Sequence, residues 1–101
     1  MRKFLIATAA AALTAGTAIA GSHSGEIKIG VILGFTGPLE TITPSMGLGA
    51  ELAMKEVTAS GKLLDGATVT PVRGDSTCID AAAATAAAER LITSDKVDAI
   101  M

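Results

Sequence analysis

The side chains with reactive or ligating chemistry are few in this 101-residue chain, which narrows what it can do. Cys78 is the single cysteine and His23 the single histidine. No Cys/His metal constellation can be assembled from one of each. His23 sits between Ser22 and Ser24 in the glycine-flanked run Gly21-Ser22-His23-Ser24-Gly25, without a positioned acid, so a Ser-His-acid triad has no support. Asp75 and Asp80 are five residues apart. A loop carboxylate and a helix cap explain them better than paired-carboxylate catalysis. Gly47-Leu48-Gly49-Ala50-Glu51-Leu52 begins like a dinucleotide fingerprint but lacks its third glycine and lies too far past the preceding strand. No G-x-x-x-x-G-K-S/T stretch occurs. None of these patterns supports catalysis, and no cofactor is expected.

Cys78 leaves two readings open. An unpaired cysteine in an exported protein implies a partner elsewhere or a reactive thiol. Alternatively it is buried as a small apolar side chain.

Export itself is read from the N-terminus. Arg2 and Lys3 precede an uncharged stretch from Phe4 to Ala20 that ends in Ala18-Ile19-Ala20, a small-x-small cleavage site. Alanines, Thr8, Thr14, Thr17 and Gly16 dilute the run below what a membrane-spanning helix needs. Residues 1–20 are thus expected to be a cleavable signal peptide, residues 21–25 a flexible lead-in, and residues 26–101 an exported folded domain, with no membrane anchor. The chain carries a net charge of −2. Without Arg2 and Lys3, six basic side chains face ten acidic ones. That balance argues against nucleic acid and against anionic lipid.

The elements that would position any site follow from periodicity and punctuation. Glu26-Ile27-Lys28-Ile29-Gly30-Val31-Ile32-Leu33 turns continuously apolar, as suits a strand buried on both faces of a parallel sheet. Gly34-Phe35-Thr36-Gly37-Pro38 ends it. A helix follows, with Thr43 as its cap, Pro44 in its first turn and Gly61 at its end. Met46, Ala50, Ala53 and Val57 form its expected apolar face, with Met54 beside them. Glu51 and Lys55 are spaced as an i,i+4 ion pair. Gly47 and Gly49 weaken the first turns by about 1 kcal/mol each, so something is expected to approach closely there.

Lys62 to Gly66 reads as a turn and Ala67–Arg73 as a second strand, which Pro71 assigns to a sheet edge. Gly74-Asp75-Ser76-Thr77 reads as a loop. A helix then runs from about Asp80 to Ser94, capped by Asp80 or Thr77, with Ala84, Ala87, Ala88, Leu91 and Ile92 as its apolar face. Val97–Met101 begins a third strand. The β-α-β-α-β order predicts an α/β fold, the start of a Rossmann-like, doubly wound parallel sheet with the first strand between the other two. Ligands of such sheets bind beyond the carboxyl ends of the strands. Here both end loops lead to helix N-termini, whose free N–H groups suit a carboxylate or phosphate.

Taken in order, these segments resemble a known family. Ile27-Lys28-Ile29-Gly30-Val31-Ile32-Leu33, Thr36-Gly37-Pro38 and Gly49-Ala50-Glu51-Leu52-Ala53 resemble the opening of type I periplasmic binding proteins, in particular the branched-chain amino-acid (leucine/isoleucine/valine)-binding group. Gly74-Asp75-Ser76 with Cys78, Glu89-Arg90-Leu91-Ile92 and Val97-Asp98-Ala99-Ile100 continue the likeness. The resemblance implies a two-lobed receptor that closes on an amino acid or similar small solute and delivers it to the membrane subunits of an ABC importer. It implies that this chain is an N-terminal fragment of the first lobe. It implies that Cys78 is half of a disulfide whose other half follows the third strand. Phe35, Thr36 and Gly37 carry over as candidate ligand contacts, with Leu39 and Glu40 near the cleft mouth. Phe35 either walls an apolar side-chain pocket or fills the core, and Asp75 and Ser76 are expected to be structural. The same fold also serves as the sensing domain of receptors and as a binder of amides or urea; an exported enzyme fits least.

Overall fold

The structure is a computed structural model and describes residues 25–101. The expected signal peptide, and the lead-in as far as Ser24, lie outside the described residues. The elements are β1 (Glu26–Leu33), α1 (Thr43–Ser60), a short 3-10 turn (Leu63–Asp65), β2 (Thr68–Asp75), α2 (Ala81–Thr93) and β3 (Ala99–Ile100). All three strands are parallel, in the order β2-β1-β3. The α/β doubly wound start and the edge position of the Pro71 strand are as the sequence predicts.

β1 is paired along its whole length with β2, from Glu26 opposite Thr68 to Leu33 opposite Asp75. Its alternate residues face opposite ways, and a helix covers each face. On one side Val31, Met54 of α1 and Val69 form a buried cluster, with Ile29, Leu33, Ala50 and Leu63 packed around it. On the other side Leu91 of α2 is fully buried. It reaches the sheet because two glycines leave the backbone bare. A Cβ on Gly30 would stand 2.9 Å from the Leu91 Cδ1, and one on Gly74 3.0 Å from the same atom.

Several local expectations are corrected. Thr43 does not cap α1. The helix starts at Thr43 itself, after Ile42. The Thr43 hydroxyl is turned inward as a donor toward the carbonyls of Gly34 and Leu39, which pins the helix start to the end of β1. The buried stripe of α1 is Thr43, Gly47 and Met54, with Ala50 and Thr58 half-buried, whereas Met46, Ala53 and Val57 are exposed. Apolar character alone points to the neighbouring stripe. The helix turns instead to lay Gly47 against Phe35, where a Cβ would be 2.8 Å from the ring.

Glu51 does not pair with Lys55. Arg73 of β2 takes both its oxygens, at 2.5 and 3.0 Å, because a planar fork matches a carboxylate better than a lysine on the same helix. On α2 the burial of Leu91 turns Ile92 out to solvent, while Asp80 is the cap. Gly74 and Asp75 belong to β2 and not to a loop, and β3 is limited to two residues. Among the described residues no helix is long and apolar enough to cross a membrane.

Leu91→Ala should cost about 2–5 kcal/mol, since it removes a fully buried side chain and leaves a cavity over bare backbone. Ile92→Ala, one position along, should change stability by under about 0.5 kcal/mol. Urea unfolding of the two variants tests this placement of α2.

Candidate functional site

The parallel register brings the carboxyl ends of β1 and β2 side by side, and the segments leaving them lie in contact. Gly34 is buried against the second segment. A Cβ there would be 2.8 Å from the backbone carbonyl of Thr77, so no larger residue fits without moving the loop. Ser76 donates its N–H to the Leu33 carbonyl at 2.9 Å, extending the ladder one step. Gly37 has φ +87, a left-handed conformation that glycine adopts without strain.

Asp75 ties the two segments together. Its Oδ2 accepts the Thr36 hydroxyl proton at 2.5 Å. Its Oδ1 accepts the Thr77 N–H at 3.0 Å and, more distantly, the Thr36 N–H at 3.4 Å. These donors hold the Asp75 carboxyl below its ordinary range, the Thr36 hydroxyl most strongly and the Thr77 N–H next. The expectation that Asp75 is structural agrees with this clamp. Ser76 is buried and accepts the Cys78 N–H at 3.2 Å. Thr77 and Cys78 both have positive φ, 56 and 61, uncommon for residues with side chains. The Thr77 Oγ1 is buried with no hydrogen-bond partner among the described residues.

Phe35 is half-buried. It packs against the core cluster beneath α1, and the Arg73 guanidinium lies over its ring, 4.7 Å from the centroid, a favourable cation–π arrangement. It also lines an open surface pocket of about 510 Å³ with Arg73, Asp75, Arg90 and the α2 alanines. That pocket sits beside the outer edge of β2. Glu51 completes the stack, its carboxyl held below its ordinary value by the hydrogen bond from Arg73. Thus α1, β2 and the segment after β1 are joined through Glu51, Arg73 and Phe35.

Of the five candidate contacts, Phe35, Thr36 and Gly37 lie together beside Asp75 and Thr77. Leu39 and Glu40 lead away toward α1. The Leu39 carbonyl already accepts the N–H groups of Ile42 and Thr43 at 2.9 and 3.0 Å, and the Glu40 side chain is exposed. The N-terminus of α2 is not an open anion site, because Asp80 Oδ1 accepts from Ala82 and Ala83 at 2.8 and 3.2 Å. Cys78 is free and exposed, which overturns its reading as a buried apolar side chain. Among the described residues no group of three or more His, Cys, Asp or Glu is placed to hold a metal ion. Sequence reasoning took Thr77 for a loop residue or a helix cap and missed its unpartnered hydroxyl. Only the spacing of Gly34 and Gly37, small residues opposite it, hinted at a close approach.

Asp75 predicts an acid limb of known sign. Its folded pKa lies below the ordinary 3.8, so its contribution is present above that value and is lost as pH falls through the lower, folded one. Glu51 is depressed in the same direction, so the parent must be compared with Asp75→Asn. Denaturant unfolding from pH 6 down to about pH 2 should show a shallower acid loss in the variant. An identical slope would remove the clamp.

A family model described as periplasmic binding protein matches residues 26–101. The curated relatives include the Leu/Ile/Val-binding protein homolog 7 of Brucella abortus (strain 2308), and the proteins of the same name in Brucella suis biovar 1 (strain 1330) and Brucella melitensis biotype 1. Each is 39% identical over 100 residues, covering 99% of this chain and 24% of the relative. The chain thus spans about a quarter of the length of the curated relatives it matches. No solved structure matches the chain significantly.

Proposed function

Since the chain belongs to the periplasmic binding protein family, type I and in the branched-chain group, we propose that it forms the leading part of the first lobe of a solute receptor. In this proposal residues 1–20 direct export and are removed, residues 21–25 are a lead-in, and residues 26–101 supply the opening β-α-β-α-β. The completed receptor works in the periplasm as a binding module without catalysis. Its ligand is an amino acid, with leucine, isoleucine and valine first in line, and it passes that ligand to the membrane subunits of an ABC importer.

One observation carries the ligand side of this proposal. The ends of β1 and β2 are braced into a single rim by the Asp75 carboxylate, on the side of a parallel sheet where ligands bind. The rim presents Thr36 and the Gly37 backbone as small polar groups, next to the apolar ring of Phe35. A few placed polar groups beside apolar surface suit an amino acid with a hydrocarbon side chain. The printed names of the relatives point to the same ligand class. In this proposal Cys78, which is exposed, pairs with a cysteine later in the longer protein.

Thermal-shift measurements on the full-length protein that carries this chain test the ligand class. A branched-chain amino acid at about a hundredfold its Kd should stabilise the receptor by about 2.7 kcal/mol. Thr36→Ala should weaken the binding by up to about tenfold. No response to leucine, isoleucine or valine, with a clear response to an amide or urea, would reassign the ligand. No response to any of them would overturn the receptor reading.

A further inference from the structure

β2 is the edge strand of the sheet, and an edge strand offers its outward N–H and C=O groups to any strand that comes alongside. The pairing with β1 identifies which groups those are. Thr68 and Ser76 donate inward to the Gly25 and Leu33 carbonyls at 3.0 and 2.9 Å. Even-numbered residues of β2 therefore bond to β1, and the odd ones, Val69, Pro71, Arg73 and Asp75, point outward. At each of the first three an outward group is taken or missing, each in a different way.

The Val69 N–H is taken by the Thr58 hydroxyl at 2.9 Å, and the hydroxyl's own proton faces the Val69 carbonyl at 3.5 Å. Pro71 has no N–H to give. The Arg73 carbonyl accepts from Arg90 Nη2 at 2.5 Å, and Arg90 is itself anchored by an ion pair with Asp95. Thr58 comes from α1 on one face of the sheet and Arg90 from α2 on the other. Both helices thus reach around the same edge. The open pocket beside β2, with Phe35 and the α2 alanines in its wall, has Arg73 and Arg90 in its lining as well.

We propose that Thr58, Pro71 and Arg90 together close the outer edge of β2 against strand addition by a second copy of this chain. The β2 segment Thr68-Val69-Thr70-Pro71-Val72 is β-branched at four of its five positions, the composition that pairs most readily with its own copies. Proline is its one interruption. The closure does not depend on the ligand or on the proposed receptor role.

The test uses the full-length protein in three forms besides the parent. Pro71→Val restores one outward N–H and removes nothing else from the edge. The triple variant Thr58→Val, Pro71→Val, Arg90→Gln opens all three positions. Asp80→Ala loosens α2 without touching the edge and serves as the matched destabiliser. Sedimentation velocity across a concentration series should show self-association raised at least about tenfold in the triple variant, and by a smaller factor in Pro71→Val. Hydrogen exchange should show slower exchange in β2 on association. Asp80→Ala should sediment like the parent. If the triple variant fails to fold, Pro71→Val alone decides the matter. Parent-like sedimentation of every edge variant that folds would overturn the proposal, as would equal association by Asp80→Ala.

Discussion

Leu91 sits on bare backbone, and the sheet can be covered on both faces only because of that contact. The helix spacing is set by what β1 and β2 do not carry. With side chains at Gly30 and Gly74, α2 would be held away from the strands and its short alanine face could not reach them. Alanine contributes little area, so the α2 face depends on this one leucine for most of its apolar contact. The opposite face is built differently, from Val31, Met54 and Val69 interlocking across α1. The two faces are thus unequal: one is a cluster, the other a single peg in a glycine-lined slot.

That packing fixes the register on which the strand ends rely. A slip of one residue between β1 and β2 would turn Gly74 away from Leu91 and move Asp75 out of reach of Thr36. The peg beneath the sheet and the carboxylate at its end therefore enforce the same alignment from two places. The Thr43 hydroxyl adds a third tie, from the start of α1 back to the end of β1. None of the three is a strong interaction alone. Their agreement on one register is what specifies a single structure.

Much of this was legible in the sequence, for physical reasons that differ by element. The bounds of β1 followed from an alternating stretch that turns continuously apolar and is ended by glycine. Pro71 announced an edge because it lacks a donor, and Gly61 announced a helix end because it accepts φ +64. Asp80 announced a cap. These signals are local, and local chemistry settled them. Three of the misreadings involved a choice between a near partner and a distant one. Glu51 has Lys55 one turn away, but Arg73 arrives from another strand with better geometry. Thr43 is well placed to cap its own helix, but the carbonyl of Gly34, just past β1, takes its proton. Met46 and Val57 are apolar enough to face inward, but Gly47 claims the contact with Phe35. At the strand ends the loop segments were visible, while the Asp75 clamp and the unpartnered Thr77 hydroxyl arise only once two segments about forty residues apart are brought together.

The stack of Glu51, Arg73 and Phe35 has a thermodynamic meaning for any molecule that meets the rim. A loop left free in the resting protein must be frozen by its ligand, and that ordering is subtracted from the affinity. Here the aromatic ring is held from above by a guanidinium that is itself held by a carboxylate, and from the side by a helix without a side chain. The loss of freedom has already happened during folding. For a receptor of the proposed kind, this wall would choose among solutes by their shape and would not adapt its own shape to them.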